Sequence, residues 1–205
     1  MVLAASRPEV TLTLEMADFD LDRGTQYFES VPWTQRLIQD PNYTGVPTPS
    51  RKLKKSTEDA MFSETLNTKD AVRACLTLKK RPQTVDSLTT DVRLLLSLGY
   101  AVNGWPNLVH GGVIGLIIDE AMGILLQLNA NAGDKAIPKA LVTASLKITY
   151  LRPIPTPSIL MVTAKLGDIN GRKIRVDAVI EDDEGNSMAT GEALWIHTRE
   201  SPAKL

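Results

Sequence analysis

The chain has 205 residues, with 23 lysines and arginines against 24 acidic residues and a formal net charge of −1. This length supports one well-buried core with a modest extension, and the balanced charge argues against nucleic acid or an anionic membrane as the main partner. The single cysteine, Cys75, excludes an internal disulfide and fits a reducing compartment. The N-terminal stretch soon acquires acidic residues instead of a presequence composition, so we expect a cytoplasmic protein with a small-molecule partner.

Residues 1–69 are predicted to form an N-terminal extension, partly helical and rich in loops. The stretch "VPWTQRLIQDPNY" is typical of a short helix, and residues 44–66 are rich in turn formers and charge. The basic run from Arg51 to Lys55 has two interpretations, a phosphate contact or a solvated surface. Nothing in this segment assigns it a function.

Residues 70–200 are predicted to form the main domain. The stretches "AVRACLTLKKR" and "VRLLLSLGYAVNG" are candidate strands. The apolar run 109–128 is long enough to raise the question of a membrane span. However, Asp119 and Glu120 lie at its centre, which favours a helix inside a soluble protein.

After this helix the hydrophobic period changes to two, which predicts four successive antiparallel strands. The turns "ING" and "DEGN" separate the later strands. In the first strand, apolar and polar residues alternate, with Ala144, Leu146, Ile148 and Tyr150 on one face and Thr143, Ser145, Lys147 and Thr149 on the other.

Apolar residues occupy most directions around the predicted helix, so one flat sheet would leave much of it uncovered. We therefore predict an α+β fold in which a curved antiparallel sheet wraps around one long central helix. A second copy of the chain would cover what remains, which predicts a homodimer or a dimer of dimers.

The stretches "HGGVIGLIIDE", "VTASLKITYLRPIP" and "INGRKIRVDAVIEDDEG" together resemble the acyl-CoA thioesterases of the hotdog fold. The likeness is to the group with a His-Gly-Gly turn and an aspartate nine residues after the histidine, including the PaaI-like and THEM-like proteins. It covers roughly Asp70 to Arg199. It implies a sheet wrapped around the helix, paired protomers, active sites between them, and coenzyme A as part of the substrate.

By the same resemblance, Asp119 is the nucleophile or general base, Gly111 and Gly112 hold the thioester carbonyl, Thr143 positions water, and His110 shapes the turn and contacts substrate. An asparagine ahead of the histidine in some family members invites a match with Asn107, although Asn107 lies only three residues before His110. The remaining candidate substrate contacts are Trp105 and Leu108 for the acyl group and Arg152, Arg172 and Lys173 for the phosphates of the coenzyme.

Elementary chemistry supports part of this assignment independently. The first N–H groups of a helix are unpaired and lie at the positive end of its dipole, so they can polarise a carbonyl. A partly desolvated Asp119 can activate water. Gly111 and Asp119 are separated by eight residues, or about 12 Å of helix, which is too far for both to act on one carbonyl. A site shared by two antiparallel helices is therefore predicted.

Each of these residues also has a plainer interpretation. Asp119 and Glu120 could pair with cations across a structural contact, and His110 could be only a hydrogen-bonded turn residue. Glu120 points about 100° away from Asp119 on a helix, so we expect it to be structural. Trp105 could belong to the core, and Arg172 and Lys173 could be solubilising hairpin cations. Two histidines and one cysteine give no metal constellation, and no metal or redox cofactor is expected.

The predicted function is thus hydrolysis of an acyl-CoA or acyl-carrier thioester between two protomers. Two alternatives stay open. The same carboxylate could serve as the base of a hotdog-fold dehydratase, isomerase or lyase acting on a biosynthetic intermediate, for example a polyketide. The protein could also be a non-catalytic acyl-binding protein whose first 69 residues recruit a partner.

Overall fold

The computed structural model describes residues 14–82, 84, 87–133 and 136–198. Residues 1–13 of the predicted extension and residues 199–200 of the predicted main domain lie outside this description. The elements in chain order are α1 (Leu14–Glu29), α2 (Pro32–Ile38), β1 (Tyr43–Val46), β2 (Val72–Lys80), β3 (Asp91–Leu98), β4 (Asn103–Trp105), β5 (Leu108–Val109), α3 (Gly111–Asn131), β6 (Leu141–Tyr150), β7 (Ser158–Asn170), β8 (Lys173–Glu181) and β9 (Ser187–His197).

Seven strands form one antiparallel sheet in the order β1-β2-β3-β7-β8-β9-β6, and β4 and β5 form a small separate hairpin. The four strands predicted after the helix are confirmed. They follow one another along the chain but not across the sheet, because β6 pairs with β9 at one edge while β7 pairs with β3. The β7–β8 and β8–β9 hairpins turn at Gly171 and Gly185, both of which have a positive φ.

The long helix α3 packs against the sheet through side chains with no exposed surface, including Ile117, Ile118, Met122 and Leu125. Its close approach to β9 requires a glycine, because a Cβ at Gly191 would lie 2.5 Å from Cγ2 of Ile118. By length and composition α3 could cross a membrane, but it is instead the central helix of the sheet's core. A curved antiparallel sheet around one central helix is the hotdog fold that the resemblance implies.

A β-bulge in β6 changes which residues face the helix. The register with β9 shifts between Thr143 and Ser145. Thr143 therefore contacts α3 on the same side as Leu146 and Ile148, and Ala144 is exposed. The strict alternation predicted for this strand, with Thr143 opposite Leu146, is wrong because the bulge adds one residue to the count.

The N-terminal segment packs on the outer side of the sheet, away from α3. Phe28 of α1 is fully buried there with Tyr43, Leu78 and Leu95. The predicted short helix is confirmed as α2, and β1 adds an edge strand to the main sheet by pairing with β2. The boundary between residues 69 and 70 stays a prediction.

Residues 47–67 run from this outer layer around the molecule, and Arg51 anchors them. Its guanidinium is buried and donates hydrogen bonds to the carbonyls of Phe62 and Val72, each at 3.3 Å, and to the Asn67 side chain. Lys54 lies 2.7 Å from Glu58 and 2.6 Å from Asp59. These contacts favour a structural role for Arg51 and Lys54 over a phosphate contact.

Candidate active site

The first turn of α3 is built around His110. This residue is the N-cap, and its Nδ1 accepts a hydrogen bond of 2.9 Å from the Gly112 N–H. Because Nδ1 is the acceptor, a neutral imidazole carries its proton on Nε2. The β4–β5 hairpin lies directly against this ring, since a Cβ at Gly104 would come within 2.6 Å of the His110 ring. Gly104 is thus a requirement of the turn that the sequence analysis missed.

The two glycines after His110 differ in what they offer a substrate. The Gly112 N–H is engaged by His110, whereas no described residue accepts a hydrogen bond from the Gly111 N–H. The Gly111 carbonyl accepts a hydrogen bond of 3.1 Å from the hydroxyl of Tyr150. A carbonyl oxygen of a ligand therefore has one open backbone donor here, and a second only if the His110 ring turns away. The assignment of both glycines stays a prediction.

A cavity of about 500 Å³, which we name the helix-start cavity, opens beside this turn. Three of the predicted substrate contacts line it together with His110 and Gly111, namely Trp105, Leu108 and Arg152. Trp105 is 72% exposed, so it is not a core residue of the protomer.

Three other predicted substrate residues do not line this cavity. Asn107 lies in the β4–β5 turn with a φ of 61°, and its carbonyl accepts a hydrogen bond from Thr156. Arg172 and Lys173 lie at the β7–β8 hairpin, where the Arg172 guanidinium donates two hydrogen bonds, of 2.9 and 2.7 Å, to the His197 carbonyl. The structure therefore groups Arg152 with the helix start and leaves Arg172 and Lys173 apart.

Asp119 lies two turns further along α3 and meets β6. The Thr143 hydroxyl donates a hydrogen bond of 2.8 Å to Oδ1 of Asp119. Burial raises the pKa of the Asp119 carboxyl, and the Thr143 hydrogen bond acts in the opposite direction. A carboxylate with raised basicity and a hydroxyl at hydrogen-bonding distance is an arrangement suited to activating water.

Asp119 and Glu120 line one cavity of about 410 Å³, which we name the carboxylate cavity. Ser50, Glu58 and Asp59 of the N-terminal segment form one of its walls. Burial raises the pKa of Glu120 to about 7; the nearby Asp59 and Asp119 add to this rise, and Ser50 and Lys54 oppose it. Both carboxyl groups line this cavity although they point in different directions on the helix, and the expectation that Glu120 is structural stays a prediction.

The helix-start cavity and the carboxylate cavity share no lining residue. One protomer therefore carries the open Gly111 N–H and the Asp119 carboxyl group in separate cavities. Among the described residues, no three His, Cys, Asp or Glu side chains are grouped as metal ligands would be.

Two residues of these cavities were not identified as site residues from the sequence. Tyr150 reaches the helix start from the end of β6, and its place in the strand just before "RPIP" was the available signal. Ser50 reaches the carboxylate cavity from the N-terminal segment. No local pattern indicates that contact, since it depends on the path of residues 47–67.

Residues 106–189 match the family model of the thioesterase superfamily. The matched region contains His110, Asp119, Thr143 and Tyr150. The wall of the carboxylate cavity formed by residues 50–59 lies outside it.

Two relatives of this superfamily region differ in how much of the chain they match. Verlamelin biosynthesis protein B of Lecanicillium sp is 29% identical over 87% of this chain and 90% of its own length. Acyl-coenzyme A thioesterase THEM4 of Mus musculus is 37% identical over 48% of this chain, and the match spans only 39% of THEM4. Among solved structures, the PaaI protein of E. coli is 16% identical over 54% of this chain and 75% of its own, with a TM-score of 0.46.

Proposed function

We propose that this protein hydrolyses an acyl thioester of coenzyme A or of an acyl carrier, at a site shared by two copies of the chain. The observation that carries the proposal is the Asp119 carboxyl group, which accepts a hydrogen bond of 2.8 Å from the Thr143 hydroxyl and lines a cavity that does not contain the helix start. The thioesterase-superfamily match over residues 106–189 and the similarity to THEM4 support the same chemistry.

In the proposed reaction the thioester carbonyl accepts a hydrogen bond from the Gly111 N–H at the positive end of α3. This donor stabilises the negative charge that develops on the oxygen. The Tyr150 hydroxyl fixes the Gly111 peptide from its carbonyl side. The adjacent Arg152 provides a cation at the mouth of the helix-start cavity for a phosphate of the carrier.

Asp119 of the other copy takes a proton from water, and the Thr143 hydroxyl helps to hold that water. The oxygen of the water attacks the carbonyl carbon, and the C–S bond then breaks. The products are the free acid and the thiol, which takes up a proton. Asp119 could instead attack the carbon directly and form an anhydride that water opens, and the same residues would serve that route.

The free edge of β6 supports the pairing of two copies. Among the described strands, β6 pairs on one side only, along its ten residues. Val142, Tyr150 and the adjoining Leu151 expose large apolar side chains there. An exposed edge of this length is a ready template for a second strand, and a two-fold axis there would join two sheets.

A mixed-dimer experiment tests the shared site. We expect Asp119→Asn and Gly111→Val each to abolish hydrolysis, because one removes the carboxylate and the other covers the backbone donor. Dimers that contain one copy of each variant retain one intact site of two, so they should recover about half of the wild-type rate of thiol release. Mixed dimers that stay as inactive as their parents would contradict the shared site. Circular dichroism and melting curves confirm that both variants fold.

A second candidate keeps the site and changes the reaction. The relative named as a biosynthesis protein matches most of this chain, and a carboxylate base can also act on carbon next to a thioester carbonyl. Such a dehydratase, isomerase or lyase leaves the thioester intact. Release of free thiol from an acyl-CoA panel, measured with a thiol reagent, separates the two reactions.

A further inference from the structure

The carboxylate cavity is unusually polar for a pocket that would hold a plain fatty acyl chain. More than half of the residues that line it carry a polar or charged side chain. Pockets for apolar ligand groups are mainly lined by apolar and aromatic side chains. From this contrast we infer that the acyl group of the substrate carries a neutral oxygen substituent, most simply a hydroxyl, which binds to Glu120. The inference rests on the proposed function.

Glu120 is the residue that meets this substituent. It lines the cavity beside Asp119, and within the described part of the chain no cation forms an ion pair with it. Lys54, whose charge lowers the pKa of Glu120, is already paired with Glu58 and Asp59 at 2.7 and 2.6 Å, and Lys139, which lines the cavity, forms no ion pair with Glu120. A half-buried carboxyl group without a cation is stabilised when a ligand hydroxyl hydrogen-bonds to it.

Two further groups in the wall lack a partner among the described residues. The Trp195 indole Nε1 and the Ser50 hydroxyl are buried and form no hydrogen bond of normal geometry, although the Ser50 hydroxyl is close enough to Glu120 to lower the pKa of that carboxyl group. Ser50 is 3% exposed and Trp195 is 8% exposed, and both residues line the cavity. An unpaired buried donor costs about 1–3 kcal/mol, which a ligand oxygen can offset.

These groups select among polar substituents. The indole N–H can only donate, so it requires an acceptor, which an ammonium group cannot supply. Four carboxyl groups and one lysine, Lys139, line the cavity, so its excess of negative charge disfavours a carboxylate substituent. A hydroxyl accepts from Trp195 or Ser50 and donates to Glu120, so it satisfies both sides. Burial keeps the pKa of Glu120 near 7, which agrees with a neutral ligand group.

The wall that Ser50, Glu58 and Asp59 contribute makes residues 50–59 part of the acyl pocket. This segment lies outside the family match and is held by the buried Arg51. The substrate preference therefore depends on a part of the chain that is separate from the helix and sheet that carry Asp119 and Thr143.

The test compares lauroyl-CoA with a series of derivatives that carry one hydroxyl at successive positions along the chain. We expect at least one derivative to have a kcat/KM about tenfold above that of lauroyl-CoA. Glu120→Leu should reduce this ratio to about one, and Glu120→Gln, which still hydrogen-bonds, should keep a part of it. Asp177→Asn is the matched control, because it removes a carboxylate at an exposed position of β8 outside the cavity and should keep the ratio.

Failure of the inference and failure of the proposed function give different results. Equal kcat/KM across the series, or a preference for an amino derivative, would overturn the inference while hydrolysis itself stands. If no thioester is cleaved, calorimetry with the full-length protein still decides. The hydroxylated thioester should bind about tenfold more tightly than lauroyl-CoA to the wild type and equally tightly to Glu120→Leu, and equal binding to the wild type would overturn the inference.

Discussion

The two cavities along α3 offer a substrate opposite kinds of polarity. The helix-start cavity presents backbone groups, an aromatic hydroxyl and the cation of Arg152, and no carboxylate is among its described lining residues. The carboxylate cavity presents four acidic side chains. The start and the middle of a single helix thus present a backbone donor and a carboxyl group, which the rise of the helix keeps apart. Under the proposed function each protomer supplies one half of each active site, and substitutions near the two cavities test that division.

The largest effect is expected from Asp119→Asn. The change removes the only group in the Asp119–Thr143 pair that can take a proton, and general-base groups contribute about 10²–10⁴-fold to rate. We expect kcat for acyl-CoA hydrolysis to fall by that factor. Asp177→Asn, on an exposed position of β8, is the control and should leave the rate unchanged. Full activity in folded Asp119→Asn protein would remove the carboxylate cavity from the mechanism.

Glu120→Gln should change how stability depends on pH. In the folded protein the pKa of Glu120 is raised from its ordinary 4.5 to about 7. Between these values the unfolded chain releases a proton that the folded protein retains, so wild-type stability falls as pH rises through this window. The variant does not lose stability in this window. Above pH 7 its free energy of unfolding, compared with that of the wild type, should therefore gain on the order of 3 kcal/mol at most. Urea unfolding at about pH 4 and about pH 8 measures this, and an equal difference at both values would contradict it.

Thr143→Val should lower kcat by about tenfold, because the hydroxyl no longer holds water or Asp119. The Thr143 hydrogen bond lowers the pKa of Asp119, so its loss should move the acid limb of the kcat/KM profile to higher pH. The control is Thr149→Val, at an exposed position on the same strand. An unmoved profile would show that Thr143 does not act on the ionisation of Asp119.

The smallest effect is expected at the helix-start cavity, from Tyr150→Phe. This change removes one hydrogen bond to the Gly111 carbonyl, worth about 0.5–1.5 kcal/mol. The Gly111 N–H, which is the proposed hydrogen-bond donor to the thioester carbonyl, is kept. We expect kcat/KM to fall about threefold with no shift in the pH profile. A loss as large as that of Asp119→Asn would mean that Tyr150 touches the reacting carbonyl directly.

Much of the fold was predictable because its signals are local. The central helix, α2 and the strands β2, β3 and β6–β9 follow from hydrophobic periodicity and turn residues. Hydrophobic periodicity indicates which face of a strand is buried but not which strand lies beside it. It therefore could not show that β6 pairs with β9 or that β1 joins the main sheet. The bulge at Ala144 was also invisible, because a single extra residue reverses the alternation without any composition signal.

The candidate site was predictable to a similar degree. The family resemblance assigned roles to His110, Asp119 and Thr143, which stay predictions, and helix geometry alone separated Gly111 from Asp119. Sequence could not show that His110 already engages the Gly112 N–H, since that depends on the ring orientation. Nor could it bring Ser50 to the cavity of Glu120, because the contact depends on the path of an irregular segment fixed by Arg51.

The path of residues 50–59 has an evolutionary and practical consequence. If residues 50–59 determine which acyl group binds while the helix and sheet carry out hydrolysis, substrate preference and catalysis are encoded in different stretches of the gene. Exchanging these ten residues between homologous enzymes would then transfer substrate preference without lowering the rate of hydrolysis. Small mutant libraries confined to residues 50–59 would be a starting point for redirecting the protein to thioesters of other acyl groups.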